Sequence, residues 1–151
     1  MNLMDREGGA LDGTIRKLMK AGNASPSADD IVGASSFGLW VGLLDIGLAR
    51  HPQLDYPTAL WEPRLKHAFS HLAGVKRKQL HGELNKIRIF RNRVAHHEPI
   101  FRGNTALTMD LIAKVAGYMD PAIRDFILSA NRVDTVLNRQ KAAVADGDCC
   151  I

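Results

Sequence analysis

The sequence contains little cysteine, which excludes a disulfide-stabilised fold. Its two cysteines, Cys149 and Cys150, are adjacent near the C-terminal end, and no third cysteine could pair with either. A reducing, cytoplasmic location is therefore expected. The final residues DCCI lack a cysteine at the position that prenylation uses. The opening residues MNLMDREGG lack the apolar core of a secretory signal.

Aromatic residues and β-patterns are also scarce. Aromatic residues make up 6% of the sequence, and no stretch alternates apolar and polar residues with the period of a half-buried strand. The composition therefore predicts an all-α fold, a compact bundle of five or six helices. We expect one helical domain over residues 27–145, preceded by an N-terminal segment and linker (1–26) and followed by a tail (146–151).

Motifs for cofactors and metals are missing as well. The glycines occur singly, not in a loop that could cradle a phosphate. The run HHEP lacks the second histidine that follows the glutamate in zinc proteases. His67, His71 and His81 have no cysteine or acidic residue at a spacing that would complete a tetrahedral site. No metal and no cofactor are predicted.

The apolar periodicity predicts where the helices lie. Ile31–Ala49 has Asp45 as its only charged residue, and its length would also suit a membrane span. Asp45, two serines and four interior glycines favour a long buried core helix instead, so no contact with a membrane is expected. Residues 1–13 are a poor helix because of their glycines and acids. Further helices are predicted over 14–20, 58–73, 75–97, 105–118 and from 121 to about 137.

Positive charge is concentrated in one segment. The net charge is +4, yet Arg64–Arg102 contains ten Lys and Arg residues against Glu83 and Glu98, a local charge of +8. The remainder, with ten basic and fourteen acidic residues, carries −4. Such a distribution attracts an anionic partner such as nucleic acid, although a solvated basic helix face would have the same pattern.

The stretch IRIFRNRVAHHEPIF places its polar residues where an ordinary helix would have Leu, Glu and Lys. Arg91 falls within an apolar stripe, in phase with Leu80, Leu84, Ile87 and Val94. An arginine there must be paired, for instance with Asp45 or Glu62, or must face a cleft. His96 is in the last turn, where the helix dipole favours a protonated imidazole. A histidine and an arginine suit phosphodiester chemistry, but both residues could equally be structural.

The segment RNRVAHHEPIF resembles the signature of the Abi-like proteins within the HEPN superfamily, an arginine, a polar residue, a few further residues and a histidine. Upstream, DDIVGASSFGLWVGLLD and LWEPRLKHAF are similar to the aromatic-rich helix and the Trp-containing segment of these proteins. The resemblance covers roughly Ala28–Phe101, about half of the chain. No landmark of the family follows Arg102.

The resemblance implies a helical homodimer in which two motif helices meet, and a metal-independent ribonuclease that leaves a 2′,3′-cyclic phosphate. By position, His96 would be the general acid or base, Arg91 the phosphate contact, Asn92 an orienting group and His97 an alternative proton carrier. The implied role is phage defence or toxin–antitoxin RNA cleavage, with RNA and an antitoxin protein as partners. We expect the RNA-binding residues to be Lys76, Arg77, Lys78, Arg88 and Arg93.

Two other functions stay open at this point. Some HEPN proteins bind RNA or nucleotides without cleaving them, and a purely structural helical dimer would need no chemistry. Arg91 and His96 are five residues apart, or about 140° around an ideal helix. A composite site from two copies, or a distorted last turn, would be needed to bring them together.

Overall fold

A computed structural model of the chain describes residues 3–100 and 103–147, apart from the side chains of 141 and 142. The all-α fold class is confirmed, because no strand occurs in this part of the chain and one isolated bridge joins Gly47 to Asp55. A π-helical turn (Pro57–Trp61) and a 3₁₀ turn (Leu65–Ala68) lie between the third and fourth α-helices. The α-helices are α1 (Asp5–Lys20), α2 (Ala28–Ala34), α3 (Phe37–Gly42), α4 (Arg77–Ala95), α5 (Thr105–Met119), α6 (Pro121–Ala130) and α7 (Val133–Asp146).

The chain divides into two compact units. The first comprises the residues up to Phe69 together with Gly74–Arg88, and the second comprises Ser70–Ala73 and the residues from Ile89 onwards. The predicted boundaries at 27 and 145 stay a prediction. Of the predicted tail, residues 148–151, with Cys149 and Cys150, lie outside the described residues.

The core of the first unit forms around Tyr56. This residue is 1% exposed and packs with Leu43 and Leu60. Its hydroxyl accepts a hydrogen bond from the backbone N–H of Met4 at 2.7 Å and donates one to Glu7 Oε2 at 3.3 Å. Burial, followed by the nearby Glu7 carboxylate, raises the pKa of Tyr56 against the effect of the Met4 N–H. These hydrogen bonds attach the start of the chain to the core.

Helix α1 begins at Asp5, so the expectation of a helix confined to 14–20 is wrong. Asp5 and Glu7 lie in its first turn, where the helix dipole favours acidic residues. Glu7 is also buried, and a Cβ on Gly42 would lie 2.8 Å from its Oε1, so a side chain at that position would displace it. Tertiary packing therefore overrides the low helix propensity of the glycines in this segment.

The predicted long helix over 29–50, which includes the apolar stretch 31–49, is interrupted. Ser35 has extended backbone dihedrals, and the Oγ of Ser36 accepts a hydrogen bond from Leu39 N at 3.2 Å, which starts α3 as a separate helix. Leu39, Val41 and other residues after the break are buried, as expected of a core segment. In the described ranges no helix has the length and apolar character needed to cross a membrane.

The predicted helix over 58–73 is replaced by two short turns. Pro63 has no backbone N–H to donate, so a regular helical ladder cannot pass through it. Instead, Glu62 N donates to Pro57 O at 3.0 Å, which gives the wide π-turn, and the 3₁₀ turn follows the proline. Proline within the helical pattern was the decisive local signal here.

The second unit is built on α5 and α6. The sequence predicts a cap at Asn104 or Thr105 and another at Asp120, directly before Pro121. Both caps are confirmed, because Asn104 Oδ1 accepts from Leu107 N at 2.9 Å and Asp120 Oδ1 accepts from Ala122 N at 2.7 Å. The single predicted helix from 121 to about 137 is divided at Asn131, whose extended backbone ends α6. Asn131 Oδ1 accepts from Val133 N at 2.9 Å, and α7 begins there.

The two buried tyrosines generate a stability prediction. Tyr118 is 8% exposed, and its hydroxyl makes no hydrogen bond within the described ranges, in contrast to that of Tyr56. Tyr56→Phe should lower the free energy of unfolding by about 1–3 kcal/mol, because it leaves buried polar groups of Met4 and Glu7 without this partner. Tyr118→Phe, the matched control, should leave stability unchanged or higher. Guanidinium unfolding of both variants would test this, and equal losses would contradict it.

Candidate functional site

The predicted catalytic residues lie at the end of α4, where the chain leaves the helix by a specific turn. Glu98 N donates to Arg93 O at 2.8 Å, and His97 N donates to Val94 O at 3.1 Å. These two bonds are the 6→1 and 5→2 pair of a Schellman motif. His97 has a φ of +56°, the left-handed conformation that the motif requires at this position. The predicted helix end, at or before Glu98, is thus confirmed.

A proline explains why α4 ends here. The residue before a proline is disfavoured in the helical region, so Glu98 cannot continue the helix into Pro99. The left-handed position is usually a glycine, because a side chain costs about 1 kcal/mol there. The helix end is therefore less stable with histidine at position 97 than it would be with glycine. Both His96 and His97 are exposed.

Arg91 is exposed. The expectation that it lies within a buried apolar stripe is wrong. Leu80 and Leu84 are buried, but Val94 is 47% exposed. The Nη1 of Arg91 lies 3.4 Å from Oδ1 of the neighbouring Asn92, a long hydrogen bond. The backbone carbonyl of Asn92 accepts from His96 N at 2.9 Å. Arg91 and His96 therefore face solvent near one helix end.

The acids that could have paired with Arg91 have partners of their own. Glu62 Oε2 is 2.7 Å from Lys66 Nζ, and Asp45 Oδ1 is 3.9 Å from His81 Nδ1. These contacts lie within the first unit, whereas Arg91 belongs to the second. The guanidinium of Arg91 retains donors that are directed to solvent.

The five predicted RNA-binding residues differ in how they are held. Lys76 and Lys78 are exposed, and no ion pair of either occurs within the described ranges. Arg77 donates to the carbonyl of Leu44, and Arg88 Nε donates to Asn85 Oδ1 at 2.9 Å.

The guanidinium of Arg93 already has partners at the C-terminal end of α4. Its guanidinium donates to the carbonyl of Pro99, and its Nε is 3.6 Å from Glu98 Oε2. These contacts hold the residues after α4 against the last turn. A role for Arg93 in RNA binding stays a prediction, and any such role would compete with these contacts.

The histidines outside the motif are dispersed. His71 Nδ1 is 2.9 Å from Ser70 Oγ, and His71 N donates to Tyr118 O at 2.9 Å. Over residues 3–100 and 103–147, no three His, Cys, Asp or Glu side chains lie close enough together to hold a metal ion.

A pocket of about 450 Å³ in the second unit was not anticipated from the sequence. Its lining includes Asp110, Lys114, Tyr118 and Arg124, and the ammonium of Lys114 lies 5.8 Å from the centre of the Tyr118 ring. Gly117 leaves room for the pocket wall, because a Cβ there would be 3.2 Å from Arg124 Cδ. The sequence feature that could have indicated this pocket is the pair Asp110 and Lys114, the only charged residues of α5.

Comparisons of the chain with protein-family models, with curated proteins and with solved structures found no match.

The left-handed histidine generates a prediction that separates stability from function. His97→Gly should have a free energy of unfolding about 1 kcal/mol higher than His97→Ala, because only glycine adopts this conformation without strain. Both variants lack the imidazole, so their difference isolates the backbone. Urea unfolding measures it. Equal stability of the two variants would show that the left-handed turn does not form in solution.

Proposed function

We propose that the protein is a metal-independent RNA endonuclease of a phage-defence or toxin type, similar to the Abi-like proteins of the HEPN superfamily. Cleavage would proceed by attack of a ribose 2′-OH on the adjacent phosphorus. The 5′-oxygen of the next nucleotide would leave, so that the products carry a 2′,3′-cyclic phosphate and a 5′-OH.

One observation carries the proposal: a strained, solvent-exposed helix end that carries Arg91, His96 and His97 within its last two turns. A structural helix end would be more stable with glycine at position 97. The exposed guanidinium of Arg91 is accessible to an anionic ligand. Residues that reduce stability without an evident packing role are typical of functional sites. This supports a chemical role for the helix end over a purely structural one.

Each residue has a step for which its chemistry is suited. The imidazole of His96 would accept the proton of the attacking 2′-OH or donate one to the leaving 5′-oxygen. Arg91 would stabilise the negative charge that develops on the non-bridging oxygens of the phosphorane-like transition state. Asn92, next to Arg91, would orient the phosphate, and His97 is an alternative proton carrier.

A homodimer through α4 would complete such a site. A single imidazole cannot readily be the base on one side of the phosphorus and the acid on the other. Two copies would contribute two sets of His96 and Arg91. Ile89 and Val94, 49% and 47% exposed, are apolar side chains of α4 that self-association would cover. An antitoxin protein as a further partner and a cytoplasmic location belong to the same proposal.

A second candidate function is RNA binding without cleavage. It is favoured by the charge of +8 over Arg64–Arg102 and by the exposure of Lys76 and Lys78. Exposed lysines of this kind would bind phosphates whether or not the RNA is cleaved. Cleavage products distinguish the two candidates.

Cleavage of a mixed cellular RNA pool in EDTA, with end-group analysis, tests the leading proposal. The wild-type protein should produce cyclic-phosphate ends. His96→Ala should slow cleavage by about 10²–10⁴-fold and Arg91→Ala by about 10²–10³-fold, because they remove proton transfer and charge stabilisation. His67→Ala and Arg16→Ala, which replace residues outside the motif, should cleave as the wild type does.

Three outcomes would change the assignment. Activity that survives His96→Ala would refute the proposed roles while leaving RNA cleavage in place. A wild-type protein that retains RNA in a salt-dependent manner but cuts none would support the binding module. Activity lost in EDTA and restored by a divalent cation would refute metal independence.

RNA affinity provides a separate prediction for the lysines. Lys76→Gln with Lys78→Gln should weaken binding and lower the slope of log K against log salt by about 2, since each phosphate contact contributes about one. Lys17→Gln with Lys20→Gln removes the same charge from exposed positions of α1 and is the matched control. Fluorescence anisotropy with a labelled RNA at several salt concentrations measures the slopes. Equal slopes for the two double variants would mean that only net charge matters.

A further inference from the structure

The second unit leaves an apolar surface uncovered along α6 and α7. Phe126 is 71% exposed, Val136 60% and Leu137 40%. Together with Ile127, Ala130 and Val133 they line a groove of about 580 Å³. We call these six residues the α6–α7 surface. Monomeric proteins rarely expose a continuous apolar patch of this kind unless a partner covers it.

The apolar stripe of α7 continues beyond the groove. At about 100° per residue, Val133, Val136, Leu137, Gln140 and Val144 fall on one side of the helix. Val144 is 80% exposed. Its two outer valines are symmetric about Gln140, since Val136 precedes it by four residues and Val144 follows it by four. A stripe with this symmetry is complementary to an antiparallel copy of itself.

We propose that a second copy of this chain docks on the α6–α7 surface, with the two α7 helices antiparallel and related by a twofold axis at Gln140. In this arrangement Val136 of each copy faces Val144 of the other. The two Gln140 amides meet at the axis, where each can donate to and accept from its symmetry mate. The interface is isologous, so a single surface meets itself and the assembly closes.

The exposed area matches what such a dimer needs. From their exposed fractions, the solvent-exposed parts of Phe126, Val136, Leu137 and Val144 amount to roughly 450 Å² per copy. A standard interface buries about 800 Å² per partner, about two-thirds of it apolar in homodimers. The four side chains therefore supply about the expected apolar share.

Gln140 explains why a second copy is the better partner. An unrelated apolar helix that followed the whole stripe of α7, past the groove, would leave the amide of Gln140 desolvated and without a hydrogen-bond partner, which is unfavourable. A symmetric copy satisfies it. A polar residue at the centre of an apolar helix stripe also fixes the register and orientation of the pairing.

This surface is separate from the α4 face of the proposed nuclease dimer, and it does not depend on RNA cleavage. A chain that uses it alone forms dimers, and a chain that uses both surfaces forms tetramers or longer assemblies. The mass of the assembly therefore reports on the surface whether or not the protein is a nuclease.

Light scattering after size exclusion, from low to high micromolar protein, tests the proposal. The wild type should be at least dimeric, and Val136→Glu with Val144→Glu should halve the mass or raise the dissociation constant about tenfold or more. Leu107→Glu, at a 63% exposed position of α5 outside the groove, is the matched control and should keep the wild-type mass. Val94→Glu reports on the α4 face independently.

Disulfide cross-linking provides a second readout that does not depend on disrupting the surface. In a background with Cys149→Ser and Cys150→Ser, Gln140→Cys should form a disulfide-linked dimer on oxidation. Arg139→Cys, about 100° away around the helix, should not. A monomeric wild type, an unchanged mass for the double glutamate variant, or equal cross-linking at both positions would each overturn the proposal.

Discussion

Termination of α4 is the constraint on which the candidate site depends. Pro99 forces the chain out of the helix, and the exit uses a left-handed residue at His97 that returns two backbone N–H groups to the last turn. The same turn allows Arg93 to reach the carbonyl of Pro99 and holds Glu98 nearby. Without this exit, His96 and His97 would lie on a continuing helix, about 100° apart around its axis. The turn that Arg93 stabilises would then not form.

The cations along α4 and directly before it differ in how they are held. Arg93, Arg88 and Arg77 donate to carbonyl or amide oxygens and so are partly committed to the fold. Arg91, Lys76 and Lys78 are exposed. A guanidinium held by the backbone keeps its positive charge, but it must exchange one hydrogen-bond partner for another before it can donate to a ligand.

The sequence was most informative where one local signal sufficed. Capping by Asn104 and Asp120 starts two helices, and the restriction that Pro99 places on the residue before it ends α4. These three helix ends were predicted, the first of them with Asn104 or Thr105 as its cap. The break at Ser35 and Ser36 was missed because apolar periodicity continued across it, while a serine cap competed for the same backbone. The early start of α1 could not be predicted, because the hydrogen bond between Glu7 and Tyr56 joins residues 49 positions apart.

The candidate site follows the same division. The spacing of Arg91 and His96 and the end of the helix could be predicted from the sequence. The exposure of Arg91 could not. Periodicity assigned it to an apolar stripe, although only Leu80 and Leu84 of that stripe are buried. Which part of a stripe is covered depends on the elements packed against it, and these are set by contacts distant in sequence. The pocket beside Tyr118 was missed for this reason too.

Exposed apolar surface and a strained helix end have a common physical basis. Both raise the free energy of the folded single chain. Phe126 and Val144 remain in contact with water, and His97 adopts a conformation that favours glycine. A feature of this kind persists when something outside the fold compensates for it. For an apolar stripe whose outer valines are symmetric about a glutamine, the compensation is a second copy. For a helix end with an arginine and two histidines, the compensation that we propose is an anionic substrate whose binding uses those side chains.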